Sequence, residues 1–511
     1  MPRVATLVSH QILAERMMTV QKRVQDQQVQ LTTGKRSRDY AGIATRSLEL
    51  VNFTNQTREA KQYMTGNATA NLRLSTELTA VSSIEKVIRK FRTDVITFSN
   101  LDFSNPTPDK LSEVREMQEK AFNAMNDIED MLNTRIEGRF LFAGGKTDTR
   151  PVTLPYSSLT ALQTAFPGTG ANFPVTRDKH LGNTSMTAAD YGTLDFAVGG
   201  TITANPSITS AGSDLTVNGT NGTLTFTIAG VATAGAFGTA AAPTPPIGAS
   251  FTTSAGLNAG TTFTVTGNDG TNLTVSPTPQ TETLLAATTP TVVPNVFEHL
   301  PIGTEFSVSG GLNSGTTFTI TGNTGTVLTV TPVPVAEVGT AAVTISATTP
   351  NSFYQGDQLQ LQHRIDEDRT ISLGINAADG GFEKAIRAMG MIAQGDAATN
   401  TAAVMAAFPG RVQAVLKMLN DSLEHDPTGM AAENTGDIRN LQNTIGRNQV
   451  VLSDADDRHT EFMSFLSTRI IEIENVNPLE TAATLNSDIT ALDISMKVLA
   501  RVQQLSLSDY I

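Results

Sequence analysis

The chain has 511 residues, no cysteine, no tryptophan, and 36 basic against 49 acidic side chains, for a formal net charge of -13. Disulfides and thiolate metal chemistry are therefore excluded, and a chain of this sign has no general electrostatic reason to bind nucleic acid or an anionic membrane surface. A single core rarely extends past ~250–300 residues, so this length implies two to four domains.

From Val4 to about Glu137 the pattern is helical, interrupted by turn chemistry at Thr33-Gly34-Lys35-Arg36 and at Asn105-Pro106-Thr107-Pro108. Leu13, Met17, Val20, Val24 and Leu31 alternate steps of three and four, broken only at Gln27. That rhythm puts an apolar seam along one side of a helix. A longer seam follows at Leu74, Leu78, Val81, Ile84, Ile88, Phe91, Val95 and Phe98. A helix from Pro108 carries Leu111, Val114, Ala121, Met125, Ile128 and Leu132, with Asp109 and Glu113 near its start where negative charge suits the dipole. Two long helices joined by a short turn make a helical hairpin.

Helix gives way at Gly138-Arg139-Phe140-Leu141-Phe142-Ala143-Gly144-Gly145, and the composition changes. No Lys or Arg occurs between Lys179 and Arg364, an interval that holds nine acidic residues. Alternating runs such as Thr223-Leu224-Thr225-Phe226-Thr227-Ile228 read as short strands with one buried face. Gly248 to Pro277 and Gly303 to Pro332 align without a gap at an offset of 55 (303 − 248), each reading strand, glycine turn, strand, glycine turn, strand. Each copy is expected to be a three-stranded β-meander within a duplicated module. Exposed edges of such Thr-rich strands are sticky, so neighbouring copies or subunits are expected to cover them.

Helical pattern returns at about Phe382 with Ile386, Met389 and Ile392, continues from Val404 to Leu423, and stops at Asp426-Pro427. Another helix from Asp437 carries Ile438, Leu441, Ile445, Leu452, Ala455, Phe462, Leu466, Ile470 and Ile473. After Asn477-Pro478 the last helix, Leu479 to Leu505, repeats the seam rhythm at Ala482, Leu485, Ile489, Leu492, Met496 and Leu499. The two ends are expected to pair antiparallel. One pair of amphipathic helices leaves much of each stripe wet, so neighbours from other subunits are expected to finish it. The fold class is thus α + β and multidomain: a long antiparallel α-helical coiled-coil or bundle core formed by both termini, with a large central β-rich insertion containing the duplicated meander. The expected division is 1–40 with 477–511 as a terminal coiled-coil assembly domain, 41–150 with 380–476 as a helical bundle, and 151–379 as a variable β-rich insertion.

The sequence offers little chemistry. The six histidines, His10, His180, His299, His363, His425 and His459, are never closer than 34 residues (459 − 425), so short metal spacings are absent. They are expected to be surface or packing residues. Gly144-Gly145-Lys146-Thr147 has the tail of a phosphate loop, but Phe140 stands where that motif needs glycine, which leaves a turn. Asp454, Asp456 and Asp457 lack the glycine of a calcium loop and read as a solvated helix face. Asp366-Glu367-Asp368 reads as a charged turn between strands. No nucleophile and base form a defensible set, so no enzyme and no cofactor or metal is expected. There is no run of ~18 apolar residues to span a membrane, and no secretory signal pattern at the N-terminus.

Four stretches carry a family resemblance. Leu31-Thr32-Thr33-Gly34-Lys35-Arg36 with Asp39-Tyr40-Ala41-Gly42-Ile43-Ala44, then Arg139 to Thr149 (RFLFAGGKTDT), then Tyr354-Gln355-Gly356-Asp357, and finally Leu505-Ser506-Leu507-Ser508-Asp509-Tyr510-Ile511 resemble the bacterial flagellin family. The last three are similar to its hook-filament junction branch rather than to filament flagellins. The resemblance covers roughly the first 150 and last 130 residues. It implies a structural subunit of the bacterial flagellum that joins hook to filament by helical self-assembly; a filament-forming flagellin, or a secreted adhesin or binding module, are the alternatives. It also implies export through the flagellar type III apparatus without a cleaved signal, an extracellular location, and as partners further copies of itself, a neighbouring hook-associated protein, filament flagellin and an export chaperone on the C-terminal helix. No nucleic acid and no membrane insertion are implied. The expected assembly residues are Leu13, Met17, Val20, Val24, Leu31, Leu485, Ile489, Leu492, Met496, Leu499 and Tyr510.

Overall fold

The structure, a computed structural model, describes residues 2–39, 42–181, 185–239, 242–288, 290–340, 344–347, 353–398, 401–431 and 433–508. The helices in chain order are α1 (Pro2–Thr33), α2 (Ser47–Phe98), α3 (Pro108–Leu132), the short α4 (Leu159–Ala165), α5 (Arg177–His180) and α6 (Ala188–Tyr191), then α7 (Gly380–Ala393), α8 (Thr401–Leu423), α9 (Ile438–Glu474) and α10 (Pro478–Ser508). Local chemistry explains several starts. Thr107 caps α3 by accepting from the Lys110 N–H, with Pro108 supplying a preset first turn. Asp437 accepts from the Asn440 N–H ahead of α9, and Asn477 from the Leu479 N–H ahead of α10.

Two compact units result: Met1–Asn71, Arg364–Ile371 and Val450–Ile511 form one, Leu72–His363 and Ser372–Gln449 the other. In the first, α1 and α10 run antiparallel. Their common end is tied by the Val476 N–H to Gly34 O (3.0 Å), the Arg36 N–H to Glu474 O (2.6 Å) and an antiparallel bridge between Lys35 and Asn475. Gly34 makes this corner possible at φ +71°, a conformation side-chain-bearing residues rarely adopt. The acidic turn Asp366-Glu367-Asp368 does join two strands, and it belongs to the first unit. There His459 Nε2 meets Ile365 O at 3.1 Å, Tyr63 stacks on His459 (5.5 Å), and Asn67 donates to Asp456 Oδ1 at 2.8 Å.

The second unit holds a helical layer and two large β-sheets. Helix α7 is buried on every side, packed against α3 and α8. The strands begin with the hairpin β1 (Arg135–Ile136) and β2 (Arg139–Phe140), followed by β3 (Ser185–Met186), β4 (Leu194–Ala197) and β5 (Thr201–Ala204). Next come β6 (Asp214–Asn218), β7 (Thr223–Ile228), β8 (Val231–Ala232), β9 (Gly238–Thr239), β10 (Ala242–Pro243), β11 (Ser250–Thr253), β12 (Thr262–Asn268), β13 (Asn272–Ser276), β14 (Glu282–Leu284) and β15 (Val292–Pro294). The series ends with β16 (Glu305–Ser309), β17 (Thr317–Asn323), β18 (Val327–Thr331), β19 (Glu337–Thr340), β20 (Thr344–Ala347), β21 (Gln362–Asp366) and β22 (Arg369–Ser372).

One sheet has the order β14-β6-β7-β13-β12-β11-β15, the other β19-β4-β5-β18-β17-β16-β20-β3. The plan is the same in both. A meander from the repeat is extended at its third strand by a hairpin that precedes it in sequence, and each copy carries a bulge at the same place, Val265/Gly267 and Ile320/Gly322. The two sheets are nested in the chain: β4 and β5 belong with β16 to β20, and the entire first sheet lies between them. Its entry and exit meet at Ile208 and Val292, which exchange backbone hydrogen bonds at 2.8 and 3.0 Å.

Each sheet has its own core. Phe251, Phe263, Val265, Leu273 and Val275 fill one, and Phe306, Phe318, Ile320, Leu328 and Val330, each 55 residues on, fill the other. The structural repeat outruns the sequence repeat. Asn258 exchanges two hydrogen bonds with the Gln280 backbone as Asn313 does with Val335, while Glu282 accepts from the Leu257 N–H as Glu337 does from Leu312. The offset of 55 therefore continues past Pro277 and Pro332 to the two glutamates.

Candidate assembly interface

Helices α1 and α10 pack along the seams that their apolar spacing marks, but with a rotation. Among the α10 side chains described, Thr481, Leu485, Asp488, Leu492, Ser495 and Leu499 are buried or half-buried, stepping four, three, four, three, four. Ala482, Ile489 and Met496, expected in the same seam, lie one position round the helix, and Ile489 and Met496 remain 43% and 48% exposed. On α1, Val24 is buried, Leu13, Met17 and Val20 are half-buried, and Leu31 at 42% is exposed. Tyr510 lies outside the described residues, as do Tyr40, Ala41, Asp509 and Ile511.

The rotation has a polar cause. Asp488 sits in the seam itself and receives Arg23 Nη2 and Nε at 2.6 and 2.9 Å and Gln27 Nε2 at 3.0 Å. Gln27 is the residue that breaks the α1 pattern, and its partner is the carboxylate that enters the α10 pattern. A buried amide or carboxylate is tolerated only where it finds a partner, so this pair fixes which face of α10 meets α1. The outer flank of the α10 stripe is left open. Ile489 and Met496 are exposed on that flank, Ile494 and Val498 are exposed on the opposite side of α10, and Ile12 and Met18 are exposed on α1.

The same substitution of a carboxylate for an apolar residue occurs in α2. The expected seam runs through Leu78, yet Glu77 occupies that place, wholly buried between Leu74 and Val81, while Leu78 is half-buried. Glu77 pairs with Arg73 at 2.9 Å, and burial pushes its carboxyl up to about 7.

Sequence spacing gave no sign of the ionic cluster inside the second unit. Arg387 of α7 pairs with Glu383 (2.8 Å) and Glu433 (2.7 Å), and His180 Nδ1 meets Glu383 at 2.8 Å. On the next face of α7, Lys384 pairs with Asp421 at 2.5 Å, which also holds His425. Despite full burial, which alone would raise it, Glu383 is held at about 2 by Arg387 and His180, and burial lowers His180. Charges three and four residues apart on one helix are an ordinary surface pattern, which is why this set is invisible without the fold. His180, His299 and His459 are buried packing residues. Among the described residues no cluster of His, Asp or Glu is arranged to hold a metal ion, and no helix is long and apolar enough to cross a membrane.

No protein-family model and no curated protein matches the chain. Among solved structures it is similar to the FlgL of Xanthomonas campestris, at 10% identity over 81% of this chain and 97% of that one, with a TM-score of 0.31. It is also similar to flagellar hook associated protein-3 from Legionella pneumophila, at 11% identity over 82% and 98% with a TM-score of 0.31, and to the flagellar junction protein FlgL from the same organism, at 11% over 80% and 99% with a TM-score of 0.28.

Proposed function

We propose that this chain is a structural, non-enzymatic subunit of the bacterial flagellum that joins hook to filament by helical self-assembly through its terminal helices. The observation that carries the proposal is the half-covered stripe of α10: α1 occupies one flank, through Leu485, Asp488 and Leu492, and leaves Ile489 and Met496 open on the other. An apolar stripe of that kind favours a further helix. Contacts made by different faces of identical subunits build helical arrays where the rotation between neighbours does not close a ring. The flagellin-like motifs near both ends support the same assignment, and the C-terminal Leu505 to Ile511 stretch supports the junction role.

On this proposal, residues 1–40 with 477–511 form the assembly domain, 41–150 with 380–476 the supporting bundle, and 151–379 the variable region. The partners are further copies of this chain, a neighbouring hook-associated protein and filament flagellin, reached after type III export with a chaperone on the C-terminal helix. The location is the extracellular flagellum.

Deleting Leu479 to Ile511 should abolish incorporation into flagella while both β-sheets stay folded; a truncated chain that still incorporates overturns the proposal. Seeding the pure protein at neutral pH separates the junction role from that of a filament subunit. Failure to propagate supports the junction, and growth of long filaments would assign the chain to the filament instead.

A further inference from the structure

Arg411 projects from α8 into the interior of the second unit and is only 4% exposed. Its Nη1 donates to Gln394 O at 3.3 Å, and its Nη2 to Gly168 O at 2.9 Å and, at a long 3.5 Å, to Asn172 Oδ1. The guanidinium also lies 5.6 Å from the centroid of the Phe408 ring; it carries five N–H donors, more than these three hydrogen bonds use, and none of its acceptors is charged. Among the described residues no carboxylate lies within ion-pair distance of it, whereas the other deeply buried arginine, Arg387, holds two. The acid whose field it feels is Glu298, but Asn172 stands between them, donating to Glu298 Oε2 at 3.4 Å. Glu298 is itself engaged by the backbone N–H and hydroxyl of Ser250. Buried charges are normally paired, and burial lowers Arg411 to about 10.

The guanidinium borders a cleft of about 320 Å³ whose wall contains Asn172, Thr261, Thr262, Thr264 and Gln394. Among the described residues, no acid and no second cation lines it. Gly168 lets its loop backbone come close enough to hold the guanidinium, since a Cβ there would come within 2.7 Å of Arg411 Nη2. Three features thus converge: one under-used planar cation, a row of threonine hydroxyls, and a volume at the lower end of small-molecule sites. A single guanidinium matches a carboxylate in a forked, two-bond geometry, and one cation balances a monoanion better than a phosphate ester of higher charge. The hydroxyl and amide wall suits a body that carries hydroxyls of its own.

We propose that this cleft is a binding site for a small hydroxylated carboxylate with the size and chemistry of a sugar acid, its carboxylate on Arg411 and its hydroxyls along Thr261, Thr262 and Thr264. All of its lining residues belong to the second unit.

Calorimetric titration of the full chain with glucuronate, glucose and sulfate tests it. Glucuronate should bind saturably at concentrations up to about 20 mM, a range matched to weak single-site affinity, and glucose should not. Arg411→Met should abolish binding, and Thr261→Val should weaken it about fivefold, the equivalent of one hydrogen bond. Absence of glucuronate binding to the folded wild type overturns the proposal, as does undiminished binding by Arg411→Met. Should that variant not fold, the double variant Thr261→Val/Thr262→Val decides, because undiminished binding there removes the hydroxyl row from the site. Sulfate binding as tight as glucuronate reduces the cleft to a plain anion site and overturns the sugar-acid assignment.

Discussion

Gln27 donates its side-chain amide to Asp488 Oδ2 at 3.0 Å, so the residue that interrupts the apolar seam of α1 meets the carboxylate that enters the seam of α10. Polar pairs at seam positions contribute little net stability but specify register and partner number. Asp488→Leu should therefore change the unfolding free energy of the terminal pair by no more than about 1 kcal/mol, while light scattering shows a broadened distribution of oligomers. A variant that stays as uniform as the wild type would deny Asp488 that role.

The bridge between Lys35 and Asn475 offers a direct check on the pair in solution. Antiparallel partners place Cα atoms about 4.5–5.5 Å apart, inside the range a disulfide spans, and the chain has no cysteine to compete. The double variant Lys35→Cys/Asn475→Cys should oxidise fully within the monomer, seen as a shift in non-reducing electrophoresis. Intermolecular bridges instead would mean that the ends do not pair as described.

Removing one partner from the cluster on α7 should be costly, because Arg387 and Glu383 are both completely buried. Arg387→Met leaves Glu383 without its guanidinium and should destabilise the second unit by about 3–5 kcal/mol in denaturant melts. The sign in pH follows from Glu383 lying at about 2, below its ordinary 4.5. A depressed carboxyl stabilises the fold above about 4.5, and that contribution is lost as pH falls from there toward 2. The Arg387→Met variant should lack this acid-induced loss.

Glu298 shows the opposite sign. Burial lifts it to about 7, so the folded state holds its proton where the unfolded state has released it. Its contribution is favourable at low pH and declines as pH rises from about 4.5 through 7. The melting temperature of Glu298→Gln relative to wild type should therefore climb over that interval, by an amount corresponding to at most about 3 kcal/mol. A pH-independent difference would show that the carboxyl titrates normally.

Nesting predicts which pieces fold alone. Residues 207–294 contain the whole first sheet, its core and its paired ends, and should melt cooperatively as an isolated fragment. Residues 295–347 contain the other meander but lack β4 and β5, whose Leu194, Phe196 and Ile202 belong to its core; circular dichroism of that fragment should show an unfolded chain.

Helix limits were legible because Gly, Pro and capping residues mark them: the Pro108, Asp437 and Pro478 starts and the Gly34 corner all stand where turn chemistry puts them. The β-meanders were legible from alternation. The facing of the helices was less so. Apolar spacing identifies a stripe, but a stripe wider than the partner can cover does not say which edge is covered, and Asp488 and Glu77 decided that by finding Gln27, Arg23 and Arg73. The nested sheet order was hidden for a different reason, since β4 and β5 share no recognisable sequence with the hairpin β6 and β7 that takes the same place in the other sheet. Arg411 looked like any helical arginine because its isolation depends on residues from 168 to 394 that only the fold assembles.

The clasp between Ile208 and Val292 also bears on the order in which the chain folds. The strands β5 and β16 are separated by a hundred residues, and closing a loop of that length carries an entropic cost that grows with its logarithm. Once the inner sheet has formed, its joined ends shorten the open loop roughly sixfold, which lowers that cost by about 1.5 kcal/mol. Closing the inner sheet at Ile208 and Val292 thus lowers the entropic cost of joining β5 to the meander that follows Pro294.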